Sequence, residues 1–196
     1  MPVNEQPVPE RLTIPAENNE LWPTIDSSPK PRLFYQTYID TRADARLYST
    51  QLGTMMLKDL VANGGTQPRI SPTADAVVFC AANPKTAKRD IYRVSDQGHD
   101  LVNLTNTPDV DEFDPAWSSD GIRIAYVSDA NRGGDTTDNY DIYVMDATGV
   151  PGVAPKPQRV TTNGSWDDSP AWGGSNDIYF RSNRGAEWNV WRIELK

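Results

Sequence analysis

Three observations predict an all-β fold: one four-strand rhythm passes along the chain four times, its third aromatic returns at intervals of 44, 47 and 54 residues, and 16 prolines with 13 glycines interrupt any long helical period. Those intervals are close to the length of a four-stranded blade. The expected architecture is therefore a small β-propeller of four four-stranded blades in a single domain over residues 9–196, preceded by a mobile, proline-containing tail over residues 1–8.

The unit is clearest from Asp111 to Gly149. There Asp-Pro-Ala-Trp-Ser-Ser-Asp-Gly turns into the alternating run Ile122 to Val127, and after a polar loop a second strand runs from Asp141 to Asp146. Taken in order, the first beat is an outer strand holding Leu12, Leu60, Leu104 and Val160. The second, an inner strand, holds Trp22, Ile70, Trp117 and Trp172. The third holds Tyr35, Phe79, Tyr126 and Phe180 in alternating runs, and the fourth Leu47-Tyr48, Ile91-Tyr92, Ile142-Tyr143 and Val190-Trp191. The longest interval is lengthened by the loop Asp129 to Asp141 and the Pro/Gly-rich insertion Val150 to Pro157. Thr54 to Ala62 has the composition of a short helix, but the repeat requires a strand there.

The ends suggest closure. Pro9-Glu10-Arg11-Leu12-Thr13 is similar to Pro157-Gln158-Arg159-Val160-Thr161, and the chain stops after its last fourth-beat strand, leaving that blade without an outer strand. An unpaired edge is a liability, so the N-terminal strand is expected to join the C-terminal blade. The order from inner to outer is then centred near residues 22, 35, 47 and 60; 70, 79, 91 and 104; 117, 126, 142 and 160; and 172, 180, 190 and 12. A monomer is the expected state, with a strand-swapped dimer as the alternative.

Composition narrows the function. The chain is 37% hydrophobic and 23% charged, and 27 acids against 19 bases give a net charge of -8, which disfavours nucleic acid and anionic lipid as partners. No apolar run reaches the length of a membrane span and MPVNEQPVPE has no signal-peptide pattern. The expectation is a soluble protein without membrane insertion, in the cytoplasm or at the cytoplasmic membrane surface, or in the periplasm if the chain is a processed form. The single Cys80 lies in an apolar run and reads as a small buried hydrophobe.

Catalytic patterns are missing. His99, the only histidine, sits in a turn without a nucleophile elbow, and neither phosphate-cradling glycines nor paired cysteines occur. Asp111, Asp114, Asp167 and Asp168 read as carboxylates accepting backbone hydrogen bonds where the chain enters a strand; a metal site or glycosidase pair is the competing reading. The loop Asp129 to Asp138 carries hard oxygen donors but lacks calcium-loop spacing, so no cofactor is expected, with calcium as the minority alternative.

With these motifs in place, Asp-x-x-Pro-Ala-Trp-Ser-x-Asp-Gly, Ile-Ala-Tyr-x-Ser and Asp-Ile-Tyr-Val-Met, the chain resembles the TolB-type, WD40-like (PD40) β-propeller repeat family. The third copy matches closely. The fourth keeps Asp168, Pro170, Trp172, Ser182, Arg184 and Gly185 but departs at Gly173 to Asn176; the second keeps Pro68 and Ser71, and the first is carried by its strand beats. The resemblance implies a closed propeller acting as a protein-binding platform; the TolB type includes a periplasmic partner of an outer-membrane lipoprotein. TolB itself has an additional N-terminal domain, an export signal and two more repeats.

The function expected is therefore non-enzymatic protein binding, by an adaptor or by a structural subunit of a larger, membrane-associated assembly. The alternative is a propeller that binds or hydrolyses carbohydrate or another small ligand through channel-mouth acids and exposed tryptophans. A four-bladed channel should be too narrow for more than water or an ion, which places partner contacts on features the repeat does not need: Asp129, Asn131, Arg132, Asp135 and Asp138 in one loop, Val150, Pro151 and Pro155 in the insertion, and Trp166.

Overall fold

In the computed structural model the structure describes residues 11–13, 19–38, 45–52, 57–61, 64–83, 85–131, 139–147 and 156–196. Among them are fifteen strands and no helix. Sheet 1 comprises β1 (Asn19–Ile25), β2 (Arg32–Tyr38), β3 (Arg46–Gln51) and β4 (Leu57–Val61). Sheet 2 comprises β5 (Gly65–Ile70), β6 (Ala76–Ala82), β7 (Arg89–Ser95) and β8 (Val102–Asn103). Sheet 3 holds β9 (Glu112–Trp117), β10 (Arg123–Ser128), β11 (Asp141–Asp146) and β12 (Gln158–Arg159), and sheet 4 holds β13 (Asp167–Trp172), β14 (Asp177–Ser182) and β15 (Asn189–Glu194). Every ladder is antiparallel and joins strands consecutive in sequence, so local turns fix each sheet. The strand expected within Thr54 to Ala62 is present as β4.

The aromatic rhythm has a direct cause in the register. Third- and fourth-beat aromatics are cross-strand partners in every sheet: Tyr35 with Tyr48, Phe79 with Tyr92, Tyr126 with Tyr143, and Phe180 with Trp191. Ring centroids in the first three pairs lie 6.2, 5.6 and 5.9 Å apart, within the range where aromatic pairing adds to burial.

Alternation sends successive residues to opposite faces, and each face meets a different sheet. Val77 and Phe79 pack with Phe34, Leu47 and Leu60 of sheet 1. Their neighbours Val78 and Cys80 pack with Ile124, Tyr126 and Met145 of sheet 3. Covered on both faces, β6 is an almost unbroken apolar run. Ala125, Val127, Ile142 and Val144 repeat the arrangement against Ile178 and Phe180 of sheet 4. Between sheets 1 and 2 the Arg32 guanidinium bonds Asp26, Asp96 and the Ala74 carbonyl; Arg123 reaches Ser175 and Asn176 of sheet 4 in the same manner.

The expected closure is not what the described residues form. Sheet 4 has three strands with β15 at its edge, and residues 11–13 form no strand upon it. The reason is local: the Thr13 hydroxyl donates to Glu20 Oε2 at 2.5 Å and Arg11 lies 3.6 Å from the same carboxylate, which holds the segment against β1. Strand β5 packs on sheet 1, β9 on sheet 2 and β13 on sheet 3, but no comparable junction joins sheet 4 to sheet 1 among the described residues. Those residues also contain no helix long and apolar enough to cross a membrane.

Candidate binding cleft

The inner strands share a device that only three dimensions reveal. A register shift occurs in each where a residue precedes proline, at Trp22-Pro23, Gln67-Pro68, Asp114-Pro115 and Ser169-Pro170. The first residue of each pair is left-handed, with φ of 55°, 54°, 55° and 54°. That conformation costs a non-glycine residue roughly 1–2 kcal/mol, so surrounding contacts must hold it. They do so from sheet to sheet. Gln67 N–H donates to Gln36 Oε1 at 3.3 Å, Asp114 N–H donates to Gln67 Oε1 at 3.0 Å, and Ser169 lies beside the Asp114 carboxyl, helping to keep it ionised.

This alignment revises the second beat. Counting from the bulge prolines, the counterpart of Trp117 and Trp172 is Ile25, and Trp22 occupies the position of Gln67 and Asp114. The two later tryptophans act as cross-sheet ties: Trp117 Nε1 donates to the Arg69 carbonyl at 2.9 Å and Trp172 Nε1 to the Ala116 carbonyl at 3.1 Å. Each indole thereby satisfies its donor on the preceding sheet.

Together the four inner strands line an open cleft of ≈ 650 Å³, formed among others by Trp22, Ile25, Arg69, Asp114, Trp117 and Trp172. The lining mixes aromatic and aliphatic side chains with hydroxyls, the carboxylates of Asp26 and Asp114 and one cation: Arg69 lies over the Trp22 ring at 5.6 Å and 3.7 Å from Asp114. Burial pushes the Asp114 carboxyl up; Arg69 opposes that and the nearby Asp168 adds to it. Asp168 itself is held by Arg181 through two bonds of 2.8 and 2.6 Å. The cleft can offer stacking surface, one cation and a desolvated carboxyl.

Of the residues expected to meet a partner, the described ones, Asp129, Asn131 and Trp166, are not part of this lining. Asp129 is buried, accepting from Lys88 Nζ at 3.1 Å and from the Asp111 amide at 2.7 Å, so it ties sheets 2 and 3 together. Asn131 turns its side-chain oxygen to the Arg159 guanidinium. Arg132, Asp135, Asp138, Val150, Pro151 and Pro155 fall outside the described residues. Trp166 is half-buried in an aromatic chain, 4.6 Å from Tyr140 and 6.4 Å from Trp188, away from the cleft. The strand-entry acids mainly meet arginines rather than turn amides: Asp111 accepts two bonds from the Arg89 guanidinium, at 2.9 and 2.6 Å, and Asp167 accepts from Arg184 at 2.8 Å. Among the described residues, no three His, Cys, Asp or Glu side chains are grouped to hold a metal. His99 is exposed in the β7–β8 turn, and Cys80 is fully buried beside Thr66 and Gln67. Sequence reasoning missed Arg69; its signal was its place beside the inner-strand proline.

Sheets stacked in sequence around an inner-strand cleft define an all-β propeller fold of the TolB type. A putative TolB from Agrobacterium tumefaciens is similar at 21% identity and a TM-score of 0.70, over 90% of this chain and 58% of that one. TolB from Acinetobacter baumannii is similar at 20% identity and a TM-score of 0.70, over 91% of this chain and 41% of that one. A puromycin-hydrolyzing peptidase from Mycobacterium tuberculosis is similar at 19% identity and a TM-score of 0.61, over 90% of this chain and 29% of that one. This chain thus spans less than two thirds of each, and at these identities the likeness is one of fold. No family model and no curated protein matches the sequence.

Proposed function

We propose that the chain is a non-enzymatic, protein-binding propeller, an adaptor or structural subunit, whose inner-strand cleft receives an extended segment of a partner protein. The observation that carries this reading is the cleft's lining: Trp22, Trp117 and Trp172 form an aromatic wall around Arg69, the cleft's one cation. Such a surface suits apolar side chains of an extended chain, with Arg69 available to a carboxylate. The test uses affinity capture from extracts of the source cells, comparing wild type with Trp117→Ala and Arg69→Glu. Loss of the same partner bands in both variants, with thermal melts showing intact folding, supports the reading. Undiminished capture by both sinks it.

One observation favours a second reading, a propeller that binds or hydrolyses a carbohydrate or small ligand: Asp114 is a carboxyl raised by burial and placed in the same aromatic cleft. A glycan array and hydrolase substrates, each applied to wild type and Asp114→Asn, separate the two. Glycan binding or turnover lost in Asp114→Asn, without partner capture, moves the assignment to this class.

A further inference from the structure

One ion pair of the cleft is left open. The residue after each bulge proline lines the cleft, and these are Thr24, Arg69, Ala116 and Ala171, so a long cationic side chain stands in sheet 2 where the other sheets place small ones. Arginine and carboxylate close to bonding distance at the strand entries: Arg89 with Asp111 and Arg181 with Asp168 at 2.6 Å, Arg159 with Asp141 at 2.7 Å, Arg184 with Asp167 at 2.8 Å. Arg69 does not close in this way. Its Nη2 stands 3.7 Å from Asp114 Oδ1, beyond hydrogen-bond reach, while Nη1 donates to the Pro68 carbonyl at 3.0 Å. The Arg69 side chain is 30% exposed and that of Asp114 15%.

The surroundings of Asp114 set what can complete the pair. Burial raises its carboxyl, Arg69 of β5 lowers it, and Asp168 of β13, itself bonded by Arg181 of β14, raises it again. The Cys80 thiol of β6 is the other titratable group beside it, and burial pushes that thiol up, so it stays uncharged. Asp26, also in the lining, is different: burial works against it, but Arg32 and Ser28 keep its carboxyl below the ordinary value. A carboxylate arriving on the Arg69 fork would share the cation with Asp114. Two carboxylates in one desolvated site do not both stay ionised, and the one without a hydrogen bond to the guanidinium takes the proton.

Resting on the reading of the cleft as a site for a partner segment, we infer that its uptake is coupled to a proton: the segment sets a carboxylate, from an acidic side chain or a C-terminus, on Arg69, and Asp114 takes up one proton as it seats. A side-chain carboxylate of the segment is ionised above about pH 4.3, and a C-terminal one from lower still. Binding is therefore tightest just above that value and weakens as pH rises and Asp114 in the complex is forced to ionise. The cleft captures an acidic segment under mildly acidic conditions and releases it under alkaline ones.

The test titrates the full chain with three heptapeptide pools of leucine, valine and alanine, read by tryptophan fluorescence and calorimetry at pH 5 and pH 8. One pool carries a central glutamate and blocked ends, one a central glutamine and blocked ends, and one a central glutamine with a free C-terminal carboxylate. Wild type should bind a carboxylate pool in preference to the blocked glutamine pool, and lose on the order of 10-fold or more in affinity between pH 5 and pH 8. Whichever carboxylate pool binds identifies the source. Asp114→Asn should hold its affinity within about 2-fold across the same range, since its side chain no longer titrates. Glu112→Gln, two residues earlier on β9, should keep the wild-type pH dependence, and Arg69→Met should bind the glutamate and glutamine pools alike. Wild-type affinity equal at the two pH values, a pH dependence that survives in Asp114→Asn, no preference for a carboxylate, or no binding of the pools at pH 5 overturns the inference. Partner capture from cell extract that persists equally at both pH values overturns it while leaving the segment-binding reading intact; capture absent at both overturns the two together.

Discussion

Glu112, at the start of β9, is buried at 2% exposure, with the Thr107 hydroxyl donating to Oε2 at 2.8 Å and no cation bonded to it among the described residues. Burial pushes its carboxyl from 4.5 up to about 7; the Thr105 and Thr107 hydroxyls resist the shift, and the carboxylates of Asp90 and Asp129 reinforce it. The native state therefore prefers the protonated acid more than the unfolded chain does. Its contribution to stability is whole below pH 4.5 and is lost as pH climbs through 7. The gap corresponds to about 3 kcal/mol over that window. Glu112→Gln, near-isosteric and without charge, should melt with wild type at pH 4 and above it at pH 8, by about 6–12 °C for a chain of this size. Calorimetry on both proteins across pH 4–8 isolates the residue together with its coupling to Asp90 and Asp129, since titrations not coupled to it cancel in the difference. An offset between the two proteins that stays constant with pH refutes the reasoning.

The cross-sheet ties give further expectations. Trp172→Phe leaves the Ala116 carbonyl without its 3.1 Å donor and should cost about 1–2 kcal/mol in denaturant unfolding; an unchanged midpoint would show that water replaces the bond at no cost. Arg89→Ala strips Asp111 of its two guanidinium bonds and Phe113 of a cation 3.9 Å from its ring centre, at about 2–3 kcal/mol, below the figure for a wholly buried pair. Phe180→Ala empties the sheet 3–sheet 4 core and should cost about 3–5 kcal/mol, seen as early unfolding. Replacing residues 132–138 or 150–155 by tight turns should leave the melting temperature unchanged but reduce partner capture; Asp129 must be spared, because it holds the Asp111 amide and Lys88.

The sheets were legible in the chain before any folding was considered. Alternation and turn residues act over a few positions, so Leu47-Tyr48, Ile91-Tyr92, Ile142-Tyr143 and Val190-Trp191 announced the third strands and the Tyr35, Phe79, Tyr126 and Phe180 runs their partners, pairs that the register joins directly. What the sheets do to one another depends on packing between them. The left-handed bulges at Trp22, Gln67, Asp114 and Ser169 are locally unfavourable, and those at Gln67 and Asp114 are bonded to a neighbouring sheet, so a reading of local preference aligned Trp22 with Trp117 when its counterpart is Ile25. The cleft has the same origin, since its walls come from four strands each separated by some 45 residues or more in the chain. The expected closure is absent among the described residues, where Leu12-Thr13 has the sequence of an outer strand but Thr13 is bonded to Glu20, seven residues away, a contact with a small entropy of loop closure.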